Sequence, residues 1–477
     1  MRDTQEPGPA GNPGRRRDRS PSVDPNVSPT SRRARRRRRD RLRARRAIRL
    51  AAATVLTATA LAVIPAGASS ADHYSATPEE SLADVQAYWA DAYPDTYGGR
   101  YVAIPSSRVH PYSSDDPPPG CGTRGTTPYR EVAGNAFYCP EGDFIAYDVE
   151  ALIPALQRKY GDVAVGLVLA HEMGHAIQAR GGAPERAFVH VELQADCFAG
   201  AWAQHVAAGD DTDLALSDDD LDRALAGFLE LRDPSGTEGG AHGAHGNAFD
   251  RVSAFQDGLT GGARACRDYE TDPPEVTQTG FTSYEDQQVN GDPALDESLP
   301  LVTKSLDAYW DATVKKYDGA PGLVASKTST LSCAGGSDGG AVSDGVIYCA
   351  DSDAIVYSTV TLQKASDGIG DMGAGVYIAT AWASAVQSDL GYRIGTAAAR
   401  ARSECLTGAW AGAVEDGTAT TKRNAAISFS PGDLDEVIAA FVATDGTSSK
   451  VDRGTVFDRF TAFRTGFEGG PSACLAT

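Results

Sequence analysis

A set of short segments occurs twice in this chain, in the same order. Ala87-Tyr88-Trp89-Ala90-Asp91-Ala92 is matched by Ala308-Tyr309-Trp310-Asp311-Ala312, and Phe137-Tyr138-Cys139 by Ile347-Tyr348-Cys349. Cys197-Phe198-Ala199-Gly200-Ala201-Trp202 is matched by Cys405-Leu406-Thr407-Gly408-Ala409-Trp410. Phe249-Asp250-Arg251 with Phe255 recurs as Phe457-Asp458-Arg459 with Phe463. The offset drifts only from 221 to 208. A register held over four cysteines implies one fold built twice. The limits are 76–271 for the first copy and 299–477 for the second. Residues 272–298, with Pro, Asp and Gln, read as a linker.

Each copy holds two early and two late cysteines, so pairing within copies is the simplest arrangement. It gives Cys121 with Cys139, Cys197 with Cys266, Cys333 with Cys349, and Cys405 with Cys474. In the first copy, Val163–Arg180 reads as a helix with Asp162 as its cap and Gly181-Gly182 as its stop. Further helices are expected over Val189–His205 and Asn247–Leu259, with a third after the capping pair Ser217 and Asp220. Short apolar runs between Tyr101 and Tyr147 read as strands. The fold class is α+β.

Within the first of those helices stands His171-Glu172-Met173-Gly174-His175. Histidines four apart share one helical face, so both imidazoles reach a single Zn²⁺ at about 2.0–2.1 Å. Glu172 lies beside that face, placed to take a proton from the attacking water. A catalytic zinc takes a third protein ligand and leaves one position open. Glu192, on the next expected helix, supplies it; His190 is a rival. Asp196 follows at i+4 on the same face, where a carboxylate orients a ligand imidazole.

These motifs resemble the bacterial "putative neutral zinc metallopeptidase" family, with the Glu-x-x-x-Asp arrangement of gluzincins. The resemblance covers His171–Gln178, Glu192–Gly200, His245–Arg251 and Asn135–Pro140, and spans the whole first copy. It implies a zincin-like fold, one Zn²⁺ per chain, hydrolysis of peptide bonds in a protein or peptide substrate, and an exported or membrane-linked location. Asn135-Ala136-Phe137-Tyr138 is also similar to the thermolysin-like edge strand that pairs with substrate backbone, which makes Asn135 and Ala136 the expected substrate-binding residues.

His245 is the candidate for stabilising negative charge in the transition state, with Arg251 and His242 as alternatives. Arg251 recurs as Arg459 while His245 becomes Arg453, so Arg251 reads as structural and paired with an acid. In the second copy His171, Glu172, His175 and Glu192 become Thr380, Ala381, Ser384 and Arg400, and Asp196 becomes Glu404. That copy keeps the fold markers and loses the chemistry, which makes it a degenerate pseudo-peptidase domain. A non-catalytic surface binding protein with a structural zinc is the competing reading, and the intact Glu172 argues against it.

Residues 1–49 hold 17 Arg against 5 Asp or Glu, a surplus of +12; the whole chain carries −20, leaving −32 for the rest. An acidic globular part repels phosphate, so nucleic acid is not an expected partner. Residues 1–47 read as a disordered Arg-rich cytoplasmic tail. Residues 48–71 read as a signal peptide or signal anchor. The expectation is therefore an extracytoplasmic protein, secreted or held in the cell membrane by a single pass with its N-terminus inside.

Overall fold

Thr77 starts the first helix by a reciprocal capping box with Glu80, and Pro78 occupies the first helical position, where no N–H is required. This helix, α1 (Pro78–Tyr97), buries Leu82, Val85 and Trp89. The computed structural model describes residues 74–184, 186–209, 212–333, 341–343, 345–419, 427–444 and 455–475. The expected tail (1–47), the expected signal segment (48–71) and Arg453 lie outside the described residues.

After α1 come strands β1 (Val109–Tyr112), β2 (Ala136–Cys139) and β3 (Phe144–Asp148). Their order is β1-β3-β2, with β1 parallel and β2 antiparallel to β3. All five residues of β3 are buried, as a central strand covered on both faces requires. Five helices follow: α2 (Leu152–Tyr160), α3 (Asp162–Gly181), α4 (Phe188–Ala208), α5 (Asp218–Glu230) and α6 (Ala248–Asp268). Gly161, with φ 79°, stands at the α3 cap position and Asp162 is its first residue; Gly182, left-handed, ends it. Ser217 and Asp220 form the capping box of α5. Helix α6 runs past Leu259 because Gly262 only kinks it.

Residues 272–298 contain α7 (Tyr284–Gln288), and Thr277 and Gln278 donate their backbone N–H groups to Asp250. Next come α8 (Leu295–Thr313) and strands β4 (Gly322–Ser326), β5 (Ala341–Ser343), β6 (Val346–Cys349) and β7 (Ala354–Ser358). Their order is β4-β7-β6-β5; β4 runs parallel and β6 antiparallel to β7. The helices α9 (Thr359–Gly368), α10 (Asp371–Asp389), α11 (Ala397–Glu415), α12 (Asp433–Ala443) and α13 (Val456–Gly469) follow. Disulfides join Cys121–Cys139, Cys197–Cys266, Cys333–Cys349 and Cys405–Cys474.

One apolar core runs through both sets of helices, with Trp89, Trp202, Trp310, Trp382 and Trp410 all inside it. Contacts across the middle are reciprocal. Asp435 of α12 accepts the Phe249 N–H that opens α6, and Asp222 of α5 accepts the Val456 and Phe457 N–H groups that open α13. Phe249 packs 4.8 Å from Phe467 and 5.7 Å from Phe460. The architecture is mixed α/β and consistent with a zincin-like peptidase fold.

The expected single-pass membrane anchor, and the membrane placement drawn from it, need correction. Among the described residues no helix is long and apolar enough to cross a membrane. The stretch that suggested one, 50–68, is nearly half Ala, with three Thr, and contributes fewer large apolar side chains than a Leu-rich span of the same length.

Candidate metal centre

Helices α3 and α4 meet at Gly174. A Cβ there would stand 2.9 Å from the Ala195 Cα, so only glycine allows the two backbones this close. The approach brings the histidine face of α3 against Glu192 of α4. His171 Nε2 lies 3.2 Å from His175 Nε2 and 3.2 Å from Glu192 Oε2, and His175 Nε2 lies 3.5 Å from the same oxygen.

The tautomers follow from the outer nitrogens. His171 Nδ1–H donates to Asp196 Oδ1 at 2.8 Å. His175 Nδ1–H donates to Gln178 Oε1 at 3.0 Å; Gln178 spends its amide hydrogens on Val191 O and Gln194 Oε1. Each Nε2 therefore points a lone pair at the common centre, and Glu192 Oε2 points a third, buried and without a hydrogen bond of proper geometry. Three converging acceptors repel one another unless a cation sits between them. Donor atoms about 2.0–2.1 Å from a tetrahedral zinc lie about 3.3–3.4 Å apart, close to the spacing observed. The residues present fit the metal.

The electrostatics agree. Burial works against a charged His171, yet Asp196 and then Glu192 raise its pKa to about 10. Burial pushes Glu192 up, but the two histidines hold it well below the carboxylate range. Both shifts show a centre that favours positive charge.

Asp196 is only 1 % exposed. Its second task is to receive Arg251, with Nε at 2.8 Å from Oδ2 and Nη2 at 2.9 Å from Oδ1. Arg251 is thus a buried, acid-paired side chain whose Nη1 also donates to Leu231 O.

Glu172 is buried, and its Oε2 accepts the Tyr138 backbone N–H of β2 at 2.9 Å. Strand β2 is the outer strand of its sheet, and Asn135, Ala136 and Tyr138 line a cleft of about 700 Å³ that also contains His171, Glu172, His175 and Glu192. His245 reaches the same cleft from its rim: its side chain is 57 % exposed and Nδ1 stands 3.4 Å from Asp233 Oδ1. His242 packs on Phe188 instead, with ring centroids 4.3 Å apart. His190 is half-buried, outside the group that converges with His171 and His175. Two contributors had no assigned role in the sequence reading: Gln178, whose signal is its i+3 spacing from His175, and the Tyr138 backbone, which leaves no signal in side-chain patterns.

In the second half, α10 lies against α11 as α3 does against α4. Thr380 and Ser384 donate to their own helix, at Val376 O and Thr380 O, and Ser384 also meets Ser403 Oγ at 2.9 Å. Glu404 receives Arg459 Nε at 2.6 Å, as Asp196 receives Arg251, with no histidine attached.

Comparison with known proteins gives the first half a family. The family described as "Putative neutral zinc metallopeptidase" matches residues 66–269. The chain is 29 % identical over 168 residues to "Uncharacterized protein Rv2575" of Mycobacterium tuberculosis, covering 30 % of this chain and 54 % of that protein. It is 29 % identical over 150 residues to "Uncharacterized protein YpfJ" of Escherichia coli K12, covering 26 % of this chain and 50 % of that one. The chain spans about half the length of these relatives. No solved structure matches. Residues 66–269 carry a zinc-peptidase-like domain of this family, with His171, His175 and Glu192 as its candidate metal cluster.

Proposed function

We propose that residues 76–271 form a zinc-dependent peptidase and that 299–477 are a degenerate copy of the same domain, with 272–298 between them. The observation that carries the enzymatic reading is the convergence of three donor atoms, His171 Nε2, His175 Nε2 and Glu192 Oε2, beside a buried carboxylate, Glu172, in one cleft.

His171, His175 and Glu192 hold the ion. Zinc at such a site supplies Lewis-acid chemistry, polarising a carbonyl and making water nucleophilic near neutral pH. Glu172 accepts the proton of the attacking water and passes it to the leaving nitrogen. The Tyr138 N–H fixes this carboxylate in place, so it pays no reorientation entropy before each transfer. Asp196 and Gln178 keep both imidazoles in the tautomer that presents Nε2. The outer edge of β2 at Ala136 offers backbone groups to an extended peptide, which then lies across the cleft as an added strand; the backbone N–H and O of Asn135, just before β2, are taken by Val132, Asp148 and Tyr112, which leaves its side chain to face the peptide. His245, at the rim, donates to the oxygen that gains charge.

The duplication reading rests on the order β1-β3-β2 recurring as β4-β7-β6, with β5 added at the edge, on the Asp196–Arg251 and Glu404–Arg459 pairs, and on the reciprocal caps from Asp222 and Asp435.

The test is metal analysis and digestion of a denatured protein by the wild type and by Glu172→Gln. The proposal expects one zinc per chain in both and a loss of about 10²–10⁴ in cleavage rate for the variant. Zinc bound without cleavage by the wild type points to a structural site and overturns the peptidase. Two zincs per chain overturns the degenerate second copy.

A further inference from the structure

A second group of donors lies in the other half, where the connecting segment meets α10 and α12. Asp292, Asp371 and Glu436 each bring an oxygen within 4.8 Å of the others. Asp433 stands beside them at the start of α12. Asp371 and Asp433 are 9 % and 5 % exposed. Glu436 Oε2 accepts the Met372 and Gly373 N–H groups at the start of α10. Asp433 accepts Ser430 N–H at 2.9 Å, and Ser430 Oγ donates to Asp286 of α7.

The hydrogen bonds stop short of completing this cluster. Oδ1 of Asp292, of Asp371 and of Asp433 is buried with no partner. Among the described residues none of the four carboxylates is paired with Lys, Arg or His. Buried carboxylate oxygens without a donor, on side chains without a counter-charge, are costly for a fold to hold.

The first half shows how the same place is neutralised there. Asp220 accepts the Ser217 N–H in the first turn of α5 as Asp433 accepts the Ser430 N–H at the start of α12, and three residues on from each stand Arg223 and Glu436. Arg223 pairs with Asp220 and lies beside Gly161, the residue before α3. Glu436 lies beside Gly370, the residue before α10, where a Cβ would meet its carboxylate carbon at 2.1 Å. The guanidinium of the first half is thus replaced by an acid, and Asp292 adds another. Positive charge that is covalent in one half comes to the other from solution, as protons on the carboxyls or as a metal cation that displaces them.

We propose that Asp292, Asp371 and Glu436, with Asp433 beside them, form a calcium site that fastens the connecting segment to α10 and α12. The donors are all hard oxygens, which excludes zinc and copper as preferred occupants. Their burial and uneven arrangement favour calcium, which accepts irregular carboxylate shells, over magnesium, which keeps several waters in strict octahedral order.

The experiment uses the full, zinc-loaded chain. Equilibrium dialysis should retain one calcium per chain, and calcium at about 100 times its Kd should raise Tm by about 3 °C. Glu436→Gln should lose both responses while keeping its zinc. Glu436→Arg, which restores the cation of the first half, should lose calcium and melt higher than wild type in its absence. If either variant fails to fold, Asp292→Asn, on the half-exposed connecting segment, should reduce retention. His175→Ala should keep the calcium response, which separates this site from the zinc centre. No retained calcium, equal retention by Glu436→Gln and Asp292→Asn, or a larger shift with magnesium would overturn the proposal.

Discussion

Replacing Asp196 by Asn separates two roles that one carboxylate combines. Asp196 holds His171 Nδ1 at 2.8 Å and carries both hydrogen bonds from the buried Arg251. On the metal side, losing the carboxylate behind a ligand imidazole weakens zinc binding about 10–100-fold, or about 1.4–2.7 kcal/mol. On the protein side, Arg251 loses its counter-charge while only 7 % exposed. Breaking a buried pair from one end costs about 3–5 kcal/mol, and the isosteric amide places the change near the lower limit. The second half provides the control. Glu404 receives Arg459 with both side chains under 10 % exposed, yet holds no imidazole. Glu404→Gln should therefore cost a similar 3 kcal/mol or so and leave zinc affinity unchanged. Urea unfolding of the metal-free proteins measures the first quantity, and chelator competition measures the second. If Glu404→Gln weakens zinc as much as Asp196→Asn, the metal effect is general destabilisation. If Asp196→Asn leaves zinc affinity within twofold, the carboxylate does not orient His171.

Other outcomes follow from single residues. Gly174→Ala places a methyl group 2.9 Å from the Ala195 Cα, where backbone has to yield; a loss of about 1–3 kcal/mol with weaker zinc binding is expected, and unchanged zinc affinity would show that the α3–α4 spacing does not set the ligand geometry. Burial raises the pKa of Asp250 to about 7. The folded state then holds this proton more tightly than the unfolded chain, so the contribution is complete below about pH 4 and fades as pH rises through 7. Urea midpoints from pH 5 to 8 should fall more steeply for wild type than for Asp250→Asn, and parallel profiles would refute the assignment.

Where residues act through local spacing, the sequence was enough to find them. His171 and His175 share a face because they are four apart, and the Ser217–Asp220 box caps the helix that its pattern announces. Recurrence carried Arg251 further: its return as Arg459 marked it as an acid-paired structural residue. The identity of the acid was not legible, because Asp196 is 55 residues away and meets Arg251 only through the packing of α4 on α6. Backbone donors escape side-chain reading altogether, which is why the Tyr138 N–H on Glu172 came only from the structure. The helix expected over Asn247–Leu259 continues to Asp268 through a kink at Gly262, since tertiary packing and the Cys197–Cys266 bond hold α6 beyond it. The apolar stretch before residue 72 reads as a signal peptide or a signal anchor on its basic flank, its length and its small-residue exit; among the described residues no helix is long and apolar enough to cross a membrane.

The crossed caps between the halves have a consequence for how such a protein behaves in dilute solution. Asp222 finishes a helix of the second half and Asp435 finishes one of the first, while Phe249 fills the aromatic patch around Phe467. That is the geometry of a symmetric dimer, in which each subunit contributes the same patch to the other. Two separate subunits come apart on dilution. Here both belong to one chain, so the effective concentration of the partner is fixed by the connection and not by the solution. The metal-binding half therefore keeps its cover at any protein concentration.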